Sequence, residues 1–532
     1  MKAAHLLAVA FALSFALPPA LHAAPGDVDA LNLNLGGTSG SIVNTTAMQP
    51  DGKLIIGGTF TSVLGVSRLG IARLNADGTL DMGFDPKANG GPVYQVCVQA
   101  DGRVLLGGGF TSLQPNGAAT ATVRNMIARV NADGTLDAGF DPKADAGVPS
   151  VALQADGKVL LGGFFTTLQP NGAVTPIARQ YIARVNADGT LDTDFDPKPD
   201  NALFIVAVQA DERVLLGGLF STLQPNGALT ATPRHNIARV NADGTLDMGF
   251  DPKANNNVYS VAVQADGRVL LGGQFTTLQP NGAATATARN FFARLLNDPA
   301  TQTLTTPNAT QALWTRGGAG PELRAVTFEL STNGGTSWTA LGAGTRVGTT
   351  ANWQRTGLTL SGSGQLRAQG RTTDGDGSGS SSLIEQVAAF SILTPIQQWK
   401  LTRLGDANAP DLGDPDFDGL RTLAEYGLNL LPETPSQSPG VSVFTYVEGD
   451  RLRMFVPRDP THNDITVSVE ATGDLVSGPW TPLATSTLGT PFTGPGYVGG
   501  DDATPGIKTV EVRDTVNISS STHRWVRVKV SH

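Results

Sequence analysis

Cysteine is nearly absent: Cys97 stands alone in 532 residues, so no disulfide can form within the chain. Histidine is scarce as well. With the N-terminal segment set aside, only His235, His462, His523 and His532 remain, scattered along the chain, which leaves little for a histidine metal cluster or a Ser-His-Asp constellation. Carboxylate-pair chemistry stays open, since it needs only two of 46 acidic residues suitably placed. Basic charge is in deficit: 37 Lys and Arg give a formal net charge of -9. That balance opposes the counterion release that drives phosphate-backbone binding, so nucleic acid is not an expected partner. Beyond the N-terminus no apolar run reaches the length needed to span a bilayer.

What is present begins with "MKAAHLLAVAFALSFALPPALHAAPGD", one Lys, an apolar run from Leu6 to Leu17, then small residues. This reads as an export signal over 1–23, cut after Ala23 because a cut after Ala24 would leave Pro25 beside it. No Cys near the cut offers a lipid anchor. The expected mature protein is secreted, extracellular or at the cell surface, monomeric, and without a transmembrane segment.

Glycine, with 64 residues, and proline, with 33, point to strands and turns. The phrase "VAVQADGRVLLGG" is one of five near copies, marked by Gln49, Gln99, Gln154, Gln209 and Gln264 at spacings of 50, 55, 55 and 55. A second phrase, "IARVNADGTLD", follows Arg73, Arg129, Arg184, Arg239 and Arg294 at 56, 55, 55 and 55. Each copy predicts four strands in two hairpins, with Gly in "ADG" and "NADG" supplying positive φ. Val104-Leu105-Leu106, Val159-Leu160-Leu161 and Val269-Leu270-Leu271 are continuous apolar runs, which predicts strands covered on both faces. The fold class expected is mainly β, a propeller of about five four-stranded blades. The fifth copy lacks "GTLDxGFDPK", and "GDVDALNLNL" near the N-terminus resembles only that missing strand. It is expected to complete the last blade and remove its edge. An open stack, or a larger ring that borrows from the next domain, is the alternative.

"QADGKVLLGG" followed by "IARVNADGTLDxxFDP" resembles the delta-60 repeat family of secreted bacterial proteins, over about 27–298. The resemblance implies a propeller fold and brings no catalytic residues. The recurring "LQPNGA" loop places Asn116, Asn171, Asn226 and Asn281 where they would contact a sugar, although Pro-Asn-Gly is also ordinary turn chemistry. The arginine pairs, such as Arg234 and Arg239 with Asp247 and Asp251, predict structural ion pairs. Cys97 aligns with Ala152, Ala207 and Ala262 and reads as a small buried residue.

Past about Asn297 the pattern changes. Residues 299–393 predict an immunoglobulin-like sandwich, and its "STNGGTSW" resembles the structural Asp-box hairpin, with Asn333 where Asp is usual. In 394–436, "DPDFDGLRTLAE" sets Asp414, Asp416 and Asp418 at loop positions 1, 3 and 5, Gly419 at 6 and Glu425 at 12. With the Leu420 carbonyl and Thr422, these supply the oxygens of an EF-hand-like Ca2+ loop. Helical spacing on both flanks agrees. The stretch is similar to the "DPDxDGLxNxxEY" element of secreted multidomain proteins, with Thr422 in place of Asn, and Arg421 at position 8 argues for an unpaired loop that stiffens a junction. Residues 437–532 again alternate as strands.

The function expected is therefore an exported, non-enzymatic, calcium-stabilised propeller that serves as a binding or scaffold module, its partner a carbohydrate or another surface protein. The alternative is a polysaccharide-acting glycosidase or lyase on the same scaffold.

Overall fold

The computed structural model describes residues 31–37, 40–49, 51–372, 383–415, 421–430, 432, 444–501, 506–520 and 523–532. Residues 1–30, among them the stretch expected to be an export signal, lie outside them.

Each repeat folds as a sheet of three antiparallel strands. In the first copy these are Val43–Met48, Leu54–Gly58 and Ile71–Leu74, with Leu54–Gly58 in the middle. The inner strands of the other four are Val93–Val98, Ser150–Leu153, Leu203–Val208 and Val258–Val263, and the outer strands are Ile127–Val130, Ile182–Val185, Ile237–Val240 and Phe292–Leu295. The expected fourth strand is reduced to a single bridge, Leu74 to Leu80, Val130 to Leu136, Val185 to Leu191 and Val240 to Leu246. The reason lies in the phenylalanine that follows. Phe84 enters the core of the second unit, Phe140 that of the third and Phe195 that of the fourth, so the chain leaves its own sheet after one bridge to reach the next.

The sheets stack face to face, with inner strands packed in series. Leucines and valines of the middle strands in units two to four are fully buried, as continuous apolar runs require. The glycines that end these strands permit close approach: a Cβ on Gly107 would stand 2.6 Å from Val151 of the next unit.

One arginine in each of the first four units locks this stack. Arg184 Nε donates to Asp192 of its own unit at 2.8 Å, its Nη1 donates to the Ala242 carbonyl in the next unit's turn at 2.6 Å, and its guanidinium lies 4.3 Å over the Phe195 ring. Arg73 and Arg129 repeat all three contacts with Asp81, Ala132 and Phe84, and with Asp137, Ala187 and Phe140. Arg239 meets Asp247, Phe250 and, in the fifth unit, Asn297 and Asp298. A second arginine of each of these four units, Arg68, Arg124, Arg179 or Arg234, pairs with Asp85, Asp141, Asp196 or Asp251 at 3.5–3.8 Å.

The two ends of the stack differ. Leu33 and Leu35 pack on Ile56, Phe60 and Ala72 of the first unit, and the Gly36 amide donates to the Ser62 carbonyl at 3.0 Å. Asn34 has φ 41°, matching Lys87, Lys143, Lys198 and Lys253 at 44–48°. These residues thus act as the tail of a preceding unit and seat on the first sheet. The expected completion of the fifth blade is not made by the described residues: Phe292 is 59% exposed, Leu270 only half-buried, and Arg294 exposed. After Leu295 the chain turns away into the following domain instead of supplying the closing segment. Among the described residues the five units form an open stack, and the prediction that Val269-Leu270-Leu271 is covered on both faces fails there.

Two four-stranded sheets follow, packed around Trp314, Phe328, Trp353 and Leu366. Their "STNGGTSW" turn is braced internally, with Asn333 Oδ1 accepting from Ser331 Oγ and the Ser337 amide. Helix α1, Pro395–Leu404, carries a capping box between Thr394 and Gln397, and helix α2 spans Thr422–Gly427. Ile396, Tyr426 and Leu428 share one core with Val456, Val469 and Val510 of the C-terminal sheets. The helical element and the C-terminal strands therefore pack as one unit.

Removing the guanidinium in Arg184→Ala leaves Asp192 with Lys158 alone at 2.9 Å and deletes the carbonyl and ring contacts to the next unit, at an expected cost on the order of 2 kcal/mol, whereas Arg294→Ala, with neither partner, should leave stability unchanged; denaturant midpoints compare them. Burial raises the pKa of Asp81, Asp137 and Asp192, but hydrogen bonds and charge from their Lys and Arg partners outweigh it and hold each below the ordinary 3.8. A carboxylate depressed in the folded state stabilises fully above 3.8 and loses that contribution as pH falls through its folded value. Stability should therefore decline on acidification below about pH 4, measured as the denaturation midpoint against pH.

Candidate functional site

The inner strands give the stack two rims. At one, each inner strand runs to its Gln and the turn after it, "ADG" in three units, "PDG" in the first and "ADE" in the fourth, and the sandwich docks there. The Ala210 amide donates to the Gly320 carbonyl at 2.7 Å, Gln209 Nε2 to the Ala319 carbonyl at 2.9 Å, and the Glu322 amide to the Val208 carbonyl at 3.1 Å. Arg324 reaches the first unit through the Met48 carbonyl at 3.3 Å. Arg316 fixes this docking segment by donating to the Pro321 carbonyl at 2.9 Å, and Arg346 by pairing with Glu322 at 2.7 Å; burial pushes Arg316 down to about 10. A cavity of about 330 Å³ lies at the junction, lined by Gln49, Ala100, Arg324, Trp353 and Arg371 among others.

The opposite rim, where the inner strands begin, carries aromatic side chains. Phe164 and Phe204 stand 5.9 Å apart between ring centres, and Phe204 and Tyr259 4.9 Å, both edge to face. Tyr94 joins the row beside Phe164: both rings lie within 3.7 Å of where a Cβ on Gly147 would be. Phe164 and Tyr259 are 40% and 41% exposed.

The four rim asparagines expected to contact a sugar have other partners. Asn116, Asn171, Asn226 and Asn281 all sit in the left-handed region at φ 46–51°, and each Oδ1 accepts from the amide of Asp85, Asp141, Asp196 or Asp251 at 3.0–3.1 Å. Nδ2 of the first three donates to the carbonyl of Asp133, Asp188 or Asp243. The loop thus clips the tail of one unit to the turn of the next. Only these long-range partners, invisible to local turn chemistry, reveal that role. Cys97 is buried at 3% exposure.

Of the calcium loop, Asp416, Asp418, Gly419 and Leu420 lie outside the described residues. Glu425 and Thr422 are fully buried at the start of α2, and Thr422 Oγ1 donates to the Gly413 carbonyl at 3.1 Å. Asp414 lies before the gap. Among the described residues, no group of three or more His, Cys, Asp or Glu converges as a metal site. Below α2, Tyr426 donates to Asp464 at 2.8 Å and stacks on His462 at 3.7 Å, while Asp464 also accepts from the Ile396 amide that opens α1. Trp480 and Trp525 are half-buried, the first beneath Arg527.

Residues 49–84, 99–140, 154–195 and 209–250 match a family described as a domain of unknown function (DUF5122) beta-propeller. The repeats fit a propeller-repeat family. The match stops before the fifth copy, the one whose closing segment is missing. Among solved structures the chain is similar to the WD40 beta propeller domain of Doa1, at 13% identity over 51% of this chain and 74% of that one, with a TM-score of 0.30. No curated protein matches. Among the described residues no helix is long and apolar enough to cross a membrane.

Asn171→Ala removes both amide contacts and puts a side chain with no local hydrogen bond at positive φ. It is expected to lower stability by about 1–3 kcal/mol, read as a shift of the thermal melting temperature.

Proposed function

We propose that this is an exported, non-enzymatic binding module in which the propeller repeats present a surface and the C-terminal unit, stiffened by calcium, supports them. The observation that carries the reading is the asymmetry of the two rims. One is covered by the sandwich, and the other is open and lined with half-exposed aromatic rings. Exposed aromatic clusters on a soluble scaffold mark recognition surfaces. Catalysis finds less support, since carboxylates in the segments that lead into the inner strands have local partners: Asp145 accepts from the Thr166 and Thr167 amides and Asp200 from those of Ser221 and Thr222.

Calcium belongs to this reading through the loop pattern. Asp414, Asp416, Asp418, the Leu420 carbonyl, Thr422 and Glu425 would hold the ion, and a fully buried Glu425 next to the loop fits the bidentate position. Such a site between α1 and α2 would tie both helices to the core they share with the C-terminal strands. The resemblance to delta-60 repeats and the N-terminal segment support export.

Two measurements test the proposal. Titration calorimetry and melting of the full chain with calcium should show saturable binding in the millimolar range or tighter and a raised melting temperature, both abolished in Asp416→Ala/Glu425→Ala; absence of both in the wild type defeats the calcium role. Labelled full-length protein should bind intact cells of the producing organism and lose that binding in Phe164→Ala/Tyr259→Ala. Equal binding by the variant defeats the rim as the recognition surface.

A further inference from the structure

The five repeats can be compared with one another, unit by unit, and they differ most at the open rim. Five residues before the marker Gln, at the start of the inner strand, they carry Asn44, Tyr94, Pro149, Phe204 and Tyr259; after the paired glycines of the middle strand they carry Thr59, Gly109, Phe164, Leu219 and Gln274. The neighbouring position is Phe in all five, Phe60, Phe110, Phe165, Phe220 and Phe275, and every one is buried. The packing position is thus fixed by the core, whereas the rim positions have diverged among otherwise near-identical copies. The divergence places rings together: Tyr94, Phe164, Phe204 and Tyr259 form one row across units two to five.

The polar groups beside the row are amides and a phenol. Asn257 Nδ2 lies 3.3 Å from both the Tyr259 hydroxyl and Gln274 Oε1. The row itself holds no ionisable side chain other than its two tyrosines, and the nearby carboxylates of Asp145 and Asp200 are engaged with backbone amides. Apolar ring faces flanked by uncharged donors and acceptors complement a ligand whose own surface alternates C–H faces with hydroxyls, and they offer nothing to a phosphate, sulfate or carboxylate polymer.

We propose that the open rim binds a neutral glycan chain, its sugar rings lying against Phe164, Phe204 and Tyr259 and its hydroxyls hydrogen-bonding Asn257 and Gln274. The inference rests on the reading of this rim as the recognition surface and names its ligand class.

The test uses the full chain against soluble neutral hexasaccharides of β-1,4-glucose, α-1,4-glucose and β-1,4-mannose, with heparin as the anionic control. At least one neutral sugar should bind and heparin should not. Phe164→Ala and Tyr259→Ala should each weaken binding about fivefold or more, the loss typical of a truncated aromatic anchor. Phe164→Tyr should keep binding, as should Leu229→Ala on an exposed loop. Both truncated side chains are well exposed, and melting curves confirm folding. No binding of any neutral sugar at millimolar concentration, equal binding by heparin, or indifference to the two alanine variants would overturn the proposal. If cell binding still depends on Phe164 and Tyr259 but neutral sugars do not compete with it, the glycan assignment falls while the rim stands.

Discussion

The contact on which the repeat array depends is the arginine that follows "IA" in the first four outer strands. Its three roles are separable in chemistry and joined in one side chain: a charge pair within its unit, a hydrogen bond to a backbone carbonyl of the next, and a flat face over the phenylalanine that crosses between them. Burying a guanidinium without such partners would be costly. With them, Arg73, Arg129, Arg184 and Arg239 make each sheet's stability contingent on its neighbour's. A planar fork suits this task where a lysine would not, because one Lys ammonium cannot address a carboxylate, a carbonyl and a ring at once.

That dependence explains why the two ends of the array need different treatment. A stacked repeat leaves one apolar face bare at each end. At the first unit, Leu33 and Leu35 substitute for a preceding tail. At the fifth, no described segment plays the reciprocal part, and Phe292 and Arg294 show what the repeat looks like without it. The sandwich does not cover that face; it attaches at the turn rim, through backbone hydrogen bonds to unit four and the Arg324 contact to unit one. Bridging non-adjacent units across the rim constrains the curvature of the stack, a role that neither domain has alone.

Much of this was legible in the sequence and some was not, for identifiable reasons. The hairpins were, because "ADG" and "NADG" turns and alternating or continuous apolar runs are local signals. The ion pairs were, because Arg and Asp recur at fixed offsets. The fourth strand was overread: "TLDMGF" has strand composition, but Phe84 and its counterparts draw it into the next unit, a tertiary demand that propensity cannot register. On the same ground the described residues do not make the expected closure, since similarity between "GDVDALNLNL" and a missing tail does not say which sheet the tail belongs to, and Leu31–Gly36 seat on the first. The asparagines of "LQPNGA" were rightly placed in turns, while their bonds to Asp85 and Asp133, 31 and 17 residues away, lie beyond any local rule. Most of the calcium loop falls outside the described residues, so its pattern retains the weight it had in the sequence.

Near-identity among the copies sharpens what remains different. Positions held by the stack, such as the five buried phenylalanines, admit one solution, because neighbouring cores close on them from both sides. Positions at the open rim face no neighbouring core, and there the copies have taken Asn, Tyr, Pro, Phe and Tyr at one position and Thr, Gly, Phe, Leu and Gln at the other. An array of equal units would present the same chemistry at every step; this stack concentrates aromatic rings on four consecutive units and leaves the first, with Asn44 and Thr59, polar. The repeat architecture thus separates its two tasks by radius and height: the arginine clamps and apolar sheets hold the form, and a few unconstrained rim positions are free to give the surface a direction.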